Sequence, residues 1–364
     1  MSENILFIGT YSQHASKGIY TARVEPRTGA MAVLSTTTAE NASFLKTSGD
    51  GRFLFTVHET YGATGGSASA FAITDDHGTL APLNSVTVRG QGPCHLARHP
   101  SGDWLVASCY GNGVHSVLPV RSDGHLGEPS ATVTNPGTPG PNQKGGHAHS
   151  SVFSPDGKFV LACDLGLDRV LTYGFDERNG AMTFLSAAEM PPGAGPRHIA
   201  LHPTLPVVYV IAEHACTVTV LHRDARAGTL TARQTVSTLP EPLATALKGG
   251  RFANTCADLH VSADGRFVYG SNRGHDSIAA FKVGRDGDLA LLGTTPTGGK
   301  TPRNFALLPP RKDGAGGDLL LAANQESDSV VAFRRDRNGV PVRTGDALSV
   351  PVPVCVEPWM GKHK

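Results

Sequence analysis

The stretch Ser154–Phe175, SPDGKFVLACDLGLDRVLTYGF, contains an Asp-Gly turn, an apolar strand, a polar turn and another strand. The same order of features recurs in Ser262–Val283 and, with another turn in place of Asp-Gly, in His202–Arg223. Weaker copies begin at His99, Ser48, Gly316 and Asn4. Self-similarity with a period of several tens of residues is typical of solenoids and propellers.

Each copy also has a strand before its Asp-Gly turn and a fourth segment after its last strand, such as Gly180–Ala187. Four short strands joined by turns form one blade of a β-propeller. The copies align on the last residue of the second strand, at a spacing of 48 to 60 residues: Tyr11, Glu59, Tyr110, Leu165, Glu213, Arg273 and Gln325. The sequence therefore predicts an all-β, seven-bladed propeller with four antiparallel strands per blade, forming a single domain over residues 1–364.

The two ends of the chain are expected to meet in blade 1. The first copy begins directly with its second strand, so this blade lacks an innermost strand of its own. The run Val352–Val356 is strand-like and follows the seventh blade. We expect it to supply the missing strand and close the ring, which removes the exposed edge of an open sheet.

Composition supports many turns and a small-molecule partner. The 43 glycines and 25 prolines among 364 residues exclude a helical bundle. The net charge is +1, and no basic or acidic block suggests binding to nucleic acid or to an anionic membrane. Met1–Thr10 resembles no signal peptide, and no apolar run reaches eighteen residues. We expect a cytoplasmic protein that is a monomer or a weak homo-oligomer.

Several other residues are assigned structural roles. The six cysteines are scattered singly, so we expect buried thiols rather than disulfides or metal ligands. His99 and His202 each precede proline at a blade turn and are interpreted as turn residues. His147 and His149 alternate on one strand face, but they lack matched carboxylate partners for a metal. No metal or cofactor is expected.

One mouth of the central channel collects the candidate site. The start of a first strand and the end of a second strand share one face of a propeller, so the alignment brings together His149, Arg197, His198, Glu213, Asp258, Arg273 and Arg303, with Tyr11, Glu59, Asn304 and Gln325. Guanidinium groups present planar donor forks to carboxylate or phosphate. The cluster therefore indicates a site for a small anionic substrate, unless these side chains only pair with one another at a solvated rim.

Several motifs of the chain resemble the seven-bladed propeller lactonase family, which contains propeller-type 6-phosphogluconolactonases and carboxy-cis,cis-muconate cyclases. The motifs are Gly146–Ser150, Gly195–His198, Ala257–His260 with Ser271–Arg273, Thr301–Asn304 and Ala323–Gln325. The resemblance implies an active site in the channel that uses a histidine, two arginines and a glutamate, which match His149, Arg197, Arg273 and Glu213. We expect the other mouth residues to bind substrate.

The sequence is compatible with three functions. The first is hydrolysis of a sugar-acid lactone, above all 6-phosphoglucono-δ-lactone, with His149 or Glu213 as general base and Arg197 and Arg273 stabilising the oxyanion. We favour His149 for proton transfer, since a carboxylate flanked by two arginines is a weak base. The second is lactonisation of a carboxymuconate by the same groups. The third is a non-catalytic binding scaffold.

Overall fold

The computed structural model describes residues 4–62, 65–248, 253–308 and 319–362, which form seven sheets. Blades 1 to 3 contain β1 (Asn4–Thr10), β2 (Gly18–Val24), β3 (Met31–Thr38), β4 (Ala42–Thr47), β5 (Phe53–His58), β6 (Ser67–Ile73), β7 (Leu80–Thr87), β8 (Pro93–Arg98), β9 (Trp104–Cys109), β10 (Val114–Pro119) and β11 (Ala131–Thr134). Blades 4 and 5 contain β12 (Ala148–Phe153), β13 (Phe159–Asp164), β14 (Arg169–Asp176), β15 (Ala181–Glu189), β16 (Pro196–Leu201), β17 (Val207–Ala212), β18 (Thr217–Arg223) and β19 (Leu230–Ser237).

The remaining strands complete the ring. Blade 6 contains β20 (Thr255–Val261), β21 (Phe267–Arg273), β22 (Ser277–Val283) and β23 (Leu289–Pro296). Blade 7 contains β24 (Pro302–Leu308), β25 (Leu319–Asn324), β26 (Ser329–Arg335), β27 (Pro341–Arg343) and β28 (Leu348–Ser349), and the last strand is β29 (Pro353–Trp359). Within the described residues, two short helical segments lie between the strands: α1 (Leu243–Lys248) and a 3-10 turn, η1 (Gln325–Ser327). No helix in the described ranges is long and apolar enough to cross a membrane.

The seven sheets confirm the predicted architecture of four antiparallel strands per blade. Six sheets have four strands, each paired with its neighbour along the chain except at the ring closure. In blade 7 the outermost position is divided between β27 and β28, and both pair with β26. Contacts between innermost strands of adjacent blades run round the ring from β4 through β24 to β29 and back to β4.

The C-terminal strand closes the ring as predicted. β29 lies beside β1 in antiparallel register, with Trp359 opposite Ile5 and Pro353 opposite Thr10. It occupies the innermost position of blade 1, in contact with β24 of blade 7 and β4 of blade 2. The strand extends three residues beyond the predicted end at Val356. The first and last strands of the chain therefore share one sheet.

Seven apolar clusters separate the blades, one at each junction. Tyr209 and Phe281 pack between blades 5 and 6, and Tyr269 and Phe305 pack between blades 6 and 7, all at most 1% exposed. Because both faces of each sheet are covered, the middle strands are near-continuous apolar runs. Burying each such side chain contributes about 1.5–3 kcal/mol.

The Asp-Gly turns also join neighbouring blades. In blade 4, Ser154 Oγ donates to Asp156 Oδ1 at 2.6 Å and accepts from Phe159 N at 3.0 Å. Gly157 has φ +73°, which favours glycine, and its carbonyl accepts a hydrogen bond from His99 Nε2 of blade 3 at 3.2 Å. His202 Nε2 makes the equivalent bond to the next blade, to Gly265 O, at 3.0 Å. The interpretation of His99 and His202 as turn residues is confirmed, and all six cysteines are free and buried.

Candidate active site

A β-bulge at the start of every innermost strand positions the site. In β12 the pairing with β13 skips His149, and in β16 and β24 it skips Arg197 and Arg303. The equivalent extra residues in the other blades are Ser43, Cys94, Val354 and the pair Ala257 and Asp258. A bulge redirects the side chain of the extra residue. The bulges therefore carry three of the predicted polar groups at equivalent places around the channel.

A cavity of about 240 Å³ lies at this mouth. Its lining consists of three phenols, two carboxylates, two guanidinium groups, one thiol and one imidazole, from Tyr11, Tyr61, Tyr110, Glu59, Glu213, Arg273, Arg303, Cys94 and His149. A smaller void continues from it and shares Glu59, Cys94 and Arg303 with it. The main cavity is smaller than a pocket for a drug-sized molecule, which suits a ligand the size of one sugar ring.

Glu213 is held between two arginines. Its Oε2 accepts a hydrogen bond from Arg197 Nε at 2.9 Å and forms an ion pair with Arg273 Nη2 at 3.0 Å. Burial would raise the pKa of Glu213, but the surrounding guanidinium groups lower it below its ordinary value. Its other oxygen, Oε1, lies 3.9 Å from His214 Nε2. Glu213 is therefore ionised at neutral pH, with one oxygen fixed by the arginines and one facing away from that clamp.

The two arginines are held by carbonyl groups of blade 6 as well. Arg197 is 2% exposed and donates from Nη1 to Ala257 O at 2.7 Å, and Arg273 donates from Nη2 to Cys256 O at 2.8 Å. Burial and the neighbouring guanidinium groups lower the pKa of Arg197 to about 10, so it stays protonated at neutral pH. Arg273 Nε is buried and has no hydrogen-bond partner among the described residues. One buried N–H donor of the site is therefore unsatisfied within the described residues.

His149 is a neutral imidazole in the wall of the cavity. Burial first, and then the positive charges of the arginines and proximity to His198, lower its pKa well below the ordinary value. Its Nδ1 lies 3.9 Å from Cys94 Sγ, and within the described ranges Nε2 has no hydrogen-bond partner. In the tautomer with its proton on Nδ1, Nε2 is an acceptor for a molecule in the cavity.

Arg303 lies across the cavity with Tyr11 and Glu59. Its guanidinium carbon is 5.3 Å from the centre of the Tyr11 ring, a cation–π distance, and Tyr11 OH donates to Glu59 Oε2 at 2.8 Å. Burial would lower the pKa of Arg303, but Tyr11 and the carboxylates raise it above its ordinary value. In the described part of the chain its guanidinium has no hydrogen-bond partner. Arg303 is thus a charged group that is not paired within the site.

His198, Asp258 and Asn304 form a buried polar network beneath the cavity. Asp258 Oδ1 accepts from His198 Nδ1 at 2.7 Å, and Asp258 Oδ2 accepts from Asn304 Nδ2 at 2.6 Å. All three side chains are less than 10% exposed. The smaller void touches His198 and Asn304 from above. These groups support the walls of the site rather than line its main cavity.

A family comparison agrees with this geometry. The sequence model of the family described as "Lactonase, 7-bladed beta-propeller" matches residues 5–358. The chain belongs to this lactonase family.

Individual members of the family match the lactonase chain along its whole length. A 6-phosphogluconolactonase from Bacillus subtilis is 32% identical over 361 residues, covering 98% of this chain and 99% of that protein. A 6-phosphogluconolactonase from Formosa agariphila is also 32% identical and covers 96% of each chain. The solved structure of a periplasmic gluconolactonase from Pseudomonas aeruginosa has a TM-score of 0.88 at 30% identity, covering 98% of this chain and 99% of that one.

The lactonase-family structure brings together most of the residues predicted from the sequence. The cavity itself is lined by Tyr11, Glu59, His149, Glu213, Arg273 and Arg303, and its deeper continuation is lined by Arg197, His198 and Asn304 as well. Gln325 begins η1, where the strand has ended, and is not part of the lining of either space within the described residues. Asp258 likewise lies outside both linings.

Sequence reasoning missed Tyr61 as a lining residue. It lies three residues beyond the end of β5 and two beyond Glu59, the aligned end of that strand. Tyr110 is also an aligned strand end, and Cys94 aligns with the start of a first strand. From the sequence, Tyr110 is assigned no role and Cys94 only that of a buried thiol. Their repeat positions were the signal that could have identified them.

Proposed function

We propose that the protein hydrolyses, in this cavity, the lactone of a sugar acid that carries an anionic group. The first substrate to test is 6-phosphoglucono-δ-lactone. The observation that carries this proposal is the clamp of Glu213 between Arg197 and Arg273, next to the neutral His149 and opposite the unpaired Arg303. The names of the Bacillus and Formosa relatives support the same substrate. Different arginines bind the substrate and activate it within this one small site.

Arg303 is the group that binds the substrate's phosphate. It is charged, stacked on Tyr11 and free of hydrogen bonds to the described residues, whereas Arg197 and Arg273 are already bonded to Glu213. A guanidinium fork matches two phosphate oxygens at once. Holding the phosphate at Arg303 places the lactone ring over the other side of the cavity.

The other two arginines stabilise charge on the lactone carbonyl. Arg273 Nε is buried without a partner, and Arg197 uses Nε and Nη1 but not Nη2 in its bonds to the described residues. As water attacks the carbonyl carbon, negative charge grows on the carbonyl oxygen. Donors already fixed before the reaction stabilise that charge without reorganisation, which is the usual source of the largest rate effect in acyl transfer.

His149 takes the proton of the attacking water, and Glu213 Oε1 positions that water. In the free protein burial and, after it, the arginines lower the pKa of His149 and make formation of the imidazolium unfavourable. A bound phosphate offsets their charge and so raises the pKa of His149. The proton then passes from His149 to the ring oxygen as the carbon–oxygen bond of the tetrahedral intermediate breaks, which leaves the open hydroxy acid.

The test measures acid release from freshly prepared 6-phosphoglucono-δ-lactone, with the spontaneous rate subtracted. Glucono-δ-lactone, which lacks the phosphate, is the matched substrate control, and an ultraviolet assay on a carboxymuconate runs beside it. We expect acceleration with the phosphorylated lactone and a much higher KM without the phosphate. Turnover of the muconate alone would favour the cyclase, and no turnover in any assay would refute the proposal.

Location and assembly are part of this proposal. The protein is proposed to act in the cytoplasm, as a monomer or a weak homo-oligomer. The Pseudomonas relative is named as periplasmic, so cell fractionation is the relevant measurement. Recovery with periplasmic markers would contradict the cytoplasmic location.

A further inference from the structure

We propose that His198 and Asp258 are positioning residues that fix the Arg197 guanidinium, and through it Glu213, for the reaction. The inference rests on the proposed lactonase function. It differs from the expectation that both residues bind substrate. The argument depends on which atoms can donate and which can accept in a fully buried network.

The contact between Arg197 and His198 fixes the tautomer of the imidazole. Arg197 Nη1 lies 3.1 Å from His198 Nε2. A guanidinium nitrogen can only donate, so Nε2 must be the acceptor and carry no proton. Burial and the charge of Arg197 lower the pKa of His198 to about 4 despite the adjacent carboxylate, so the ring is neutral at pH 7. Its single proton therefore lies on Nδ1.

Asp258 holds that proton in place. The Nδ1–H of His198 points to Asp258 Oδ1 at 2.7 Å. Burial would raise the pKa of Asp258, but His260 and His198 keep it well below its usual range, so it is an acceptor only. A carboxylate behind a neutral imidazole selects one tautomer and one ring orientation. The same logic holds the catalytic histidine in serine hydrolases.

The carboxylate of Asp258 is itself immobilised by five donors, from its own strand β20 and from the neighbouring strands β16 and β24. They are His198 Nδ1 and Leu259 N on Oδ1, and Asn304 Nδ2, His260 Nε2 and Phe305 N on Oδ2. Asn304 in turn accepts at Oδ1 from Val356 N of the ring-closing strand at 2.7 Å. The position of Arg197 is thereby tied to blades 5, 6, 7 and 1.

The network also explains why Arg197 needs support. Its Nε must point at Glu213 while Nη1 points at Ala257 O and His198. Without an acceptor at His198, one N–H of a buried guanidinium loses its partner, and the group can rotate away from Glu213. A displacement of about 1 Å at a reacting group is sufficient to cost roughly 100-fold in rate.

Two variants at His198 separate positioning from substrate binding. His198→Leu removes the acceptor, whereas the amide oxygen of His198→Gln can still accept from Arg197 and its NH₂ can donate to Asp258. We expect kcat to fall about 100-fold in the leucine variant, with KM near the wild-type value, and most of that loss to be restored by glutamine. His95→Leu is the control. His95 is a buried imidazole whose ring centre lies 5.4 Å from that of His198, but it does not hydrogen-bond to Arg197.

A raised KM with unchanged kcat, or equal loss of kcat in the leucine and glutamine variants, would overturn the proposal. Nitrogen-15 NMR of histidine-labelled wild-type protein provides a readout that needs no substrate and no variant. We expect His198 to be neutral at pH 7 with its proton on Nδ1, and a proton on Nε2 would refute the inference. If the wild type hydrolyses no lactone but shows this tautomer, the proposed function fails while the buried geometry stands.

Discussion

Replacing Glu213 by glutamine removes the negative charge between Arg197 and Arg273 and keeps the shape of the side chain. In the wild type one oxygen accepts a hydrogen bond from Arg197 Nε at 2.9 Å and forms an ion pair with Arg273 Nη2 at 3.0 Å. The amide oxygen of glutamine can keep the hydrogen bond in a weaker, uncharged form, but it loses the ion pair. Because a hydrogen bond to a charged group contributes about 1.5–3 kcal/mol, we expect the free energy of unfolding to fall by about 2–3 kcal/mol.

The catalytic effect of Glu213→Gln should exceed its effect on stability. Loss of the charge leaves two arginines facing each other and removes the carboxylate that positions water, so we expect kcat for 6-phosphoglucono-δ-lactone to fall by roughly 100-fold or more. Glu189→Gln is the matched control, since Glu189 is 65% exposed and paired with Arg169 at 2.8 Å. A Glu213→Gln variant with near-wild-type kcat would refute the assignment of Glu213 to the reaction.

The same variant has a predicted dependence on pH. The pKa of Glu213 is lower in the folded protein than in the unfolded chain. Its ionised form therefore contributes stability above the unfolded pKa, near 4.3, and that contribution is lost as the pH falls through the lower folded value. The stability difference between wild type and Glu213→Gln, measured by urea unfolding, should shrink below about pH 4. A difference that grew on acidification would contradict the sign of this shift.

Four further outcomes are expected. Arg303→Gln should raise KM for the phosphorylated lactone by about 10- to 100-fold, through the loss of charge-assisted hydrogen bonds, and leave glucono-δ-lactone kinetics unchanged; an equal effect on both substrates would contradict phosphate binding there. In the wild type the pH profile of kcat/KM should show no acidic limb near pH 6.5, because His149 is neutral in the free protein. The acidic limb of the kcat profile should lie at higher pH, because the bound anion raises the pKa of His149. Acidic limbs at the same pH in both profiles would argue against His149 as the proton acceptor. Deletion of residues 350–364 should abolish cooperative thermal unfolding, because it removes the ring-closing strand; an unchanged melting temperature would refute the closure scheme. Gly157→Ala should destabilise more than Gly102→Ala at the corresponding turn of blade 3, because both have positive φ but only at Gly157 would a Cβ overlap a neighbouring imidazole; equal melting temperatures would contradict this.

The sequence predicted the ring because its repeats are local. Each copy carries its own turn and its own apolar strands, so seven blades and the contribution of Val352–Val356 follow without knowledge of tertiary contacts. The assignment of residues 1–364 to a single domain stays a prediction. The alignment also placed His149, Arg197 and Arg303 at one mouth of the channel, because the register of a strand pair fixes which strand ends lie together.

The depth of each side chain could not be predicted in the same way. The bulges insert one residue at the start of each inner strand, which carries His149 and Arg303 into the cavity wall and leaves Asp258 beneath it. A bulge depends on the neighbouring blades and has no distinct local signal here. Gln325 does not line the cavity as predicted, because the strand has ended and η1 begins at that residue. Tyr61 was missed because it belongs to a loop.

A crystal structure with 6-phosphogluconate, the product of the proposed reaction, tests the central claim most directly. We predict that the phosphate lies within hydrogen-bond distance of the Arg303 guanidinium. The carboxylate formed from the lactone carbonyl should lie between His149 and Arg273 Nε. Product bound elsewhere, such as in the cavity lined by Lys46 and Arg98 at the other end of the channel, would contradict the proposed active site.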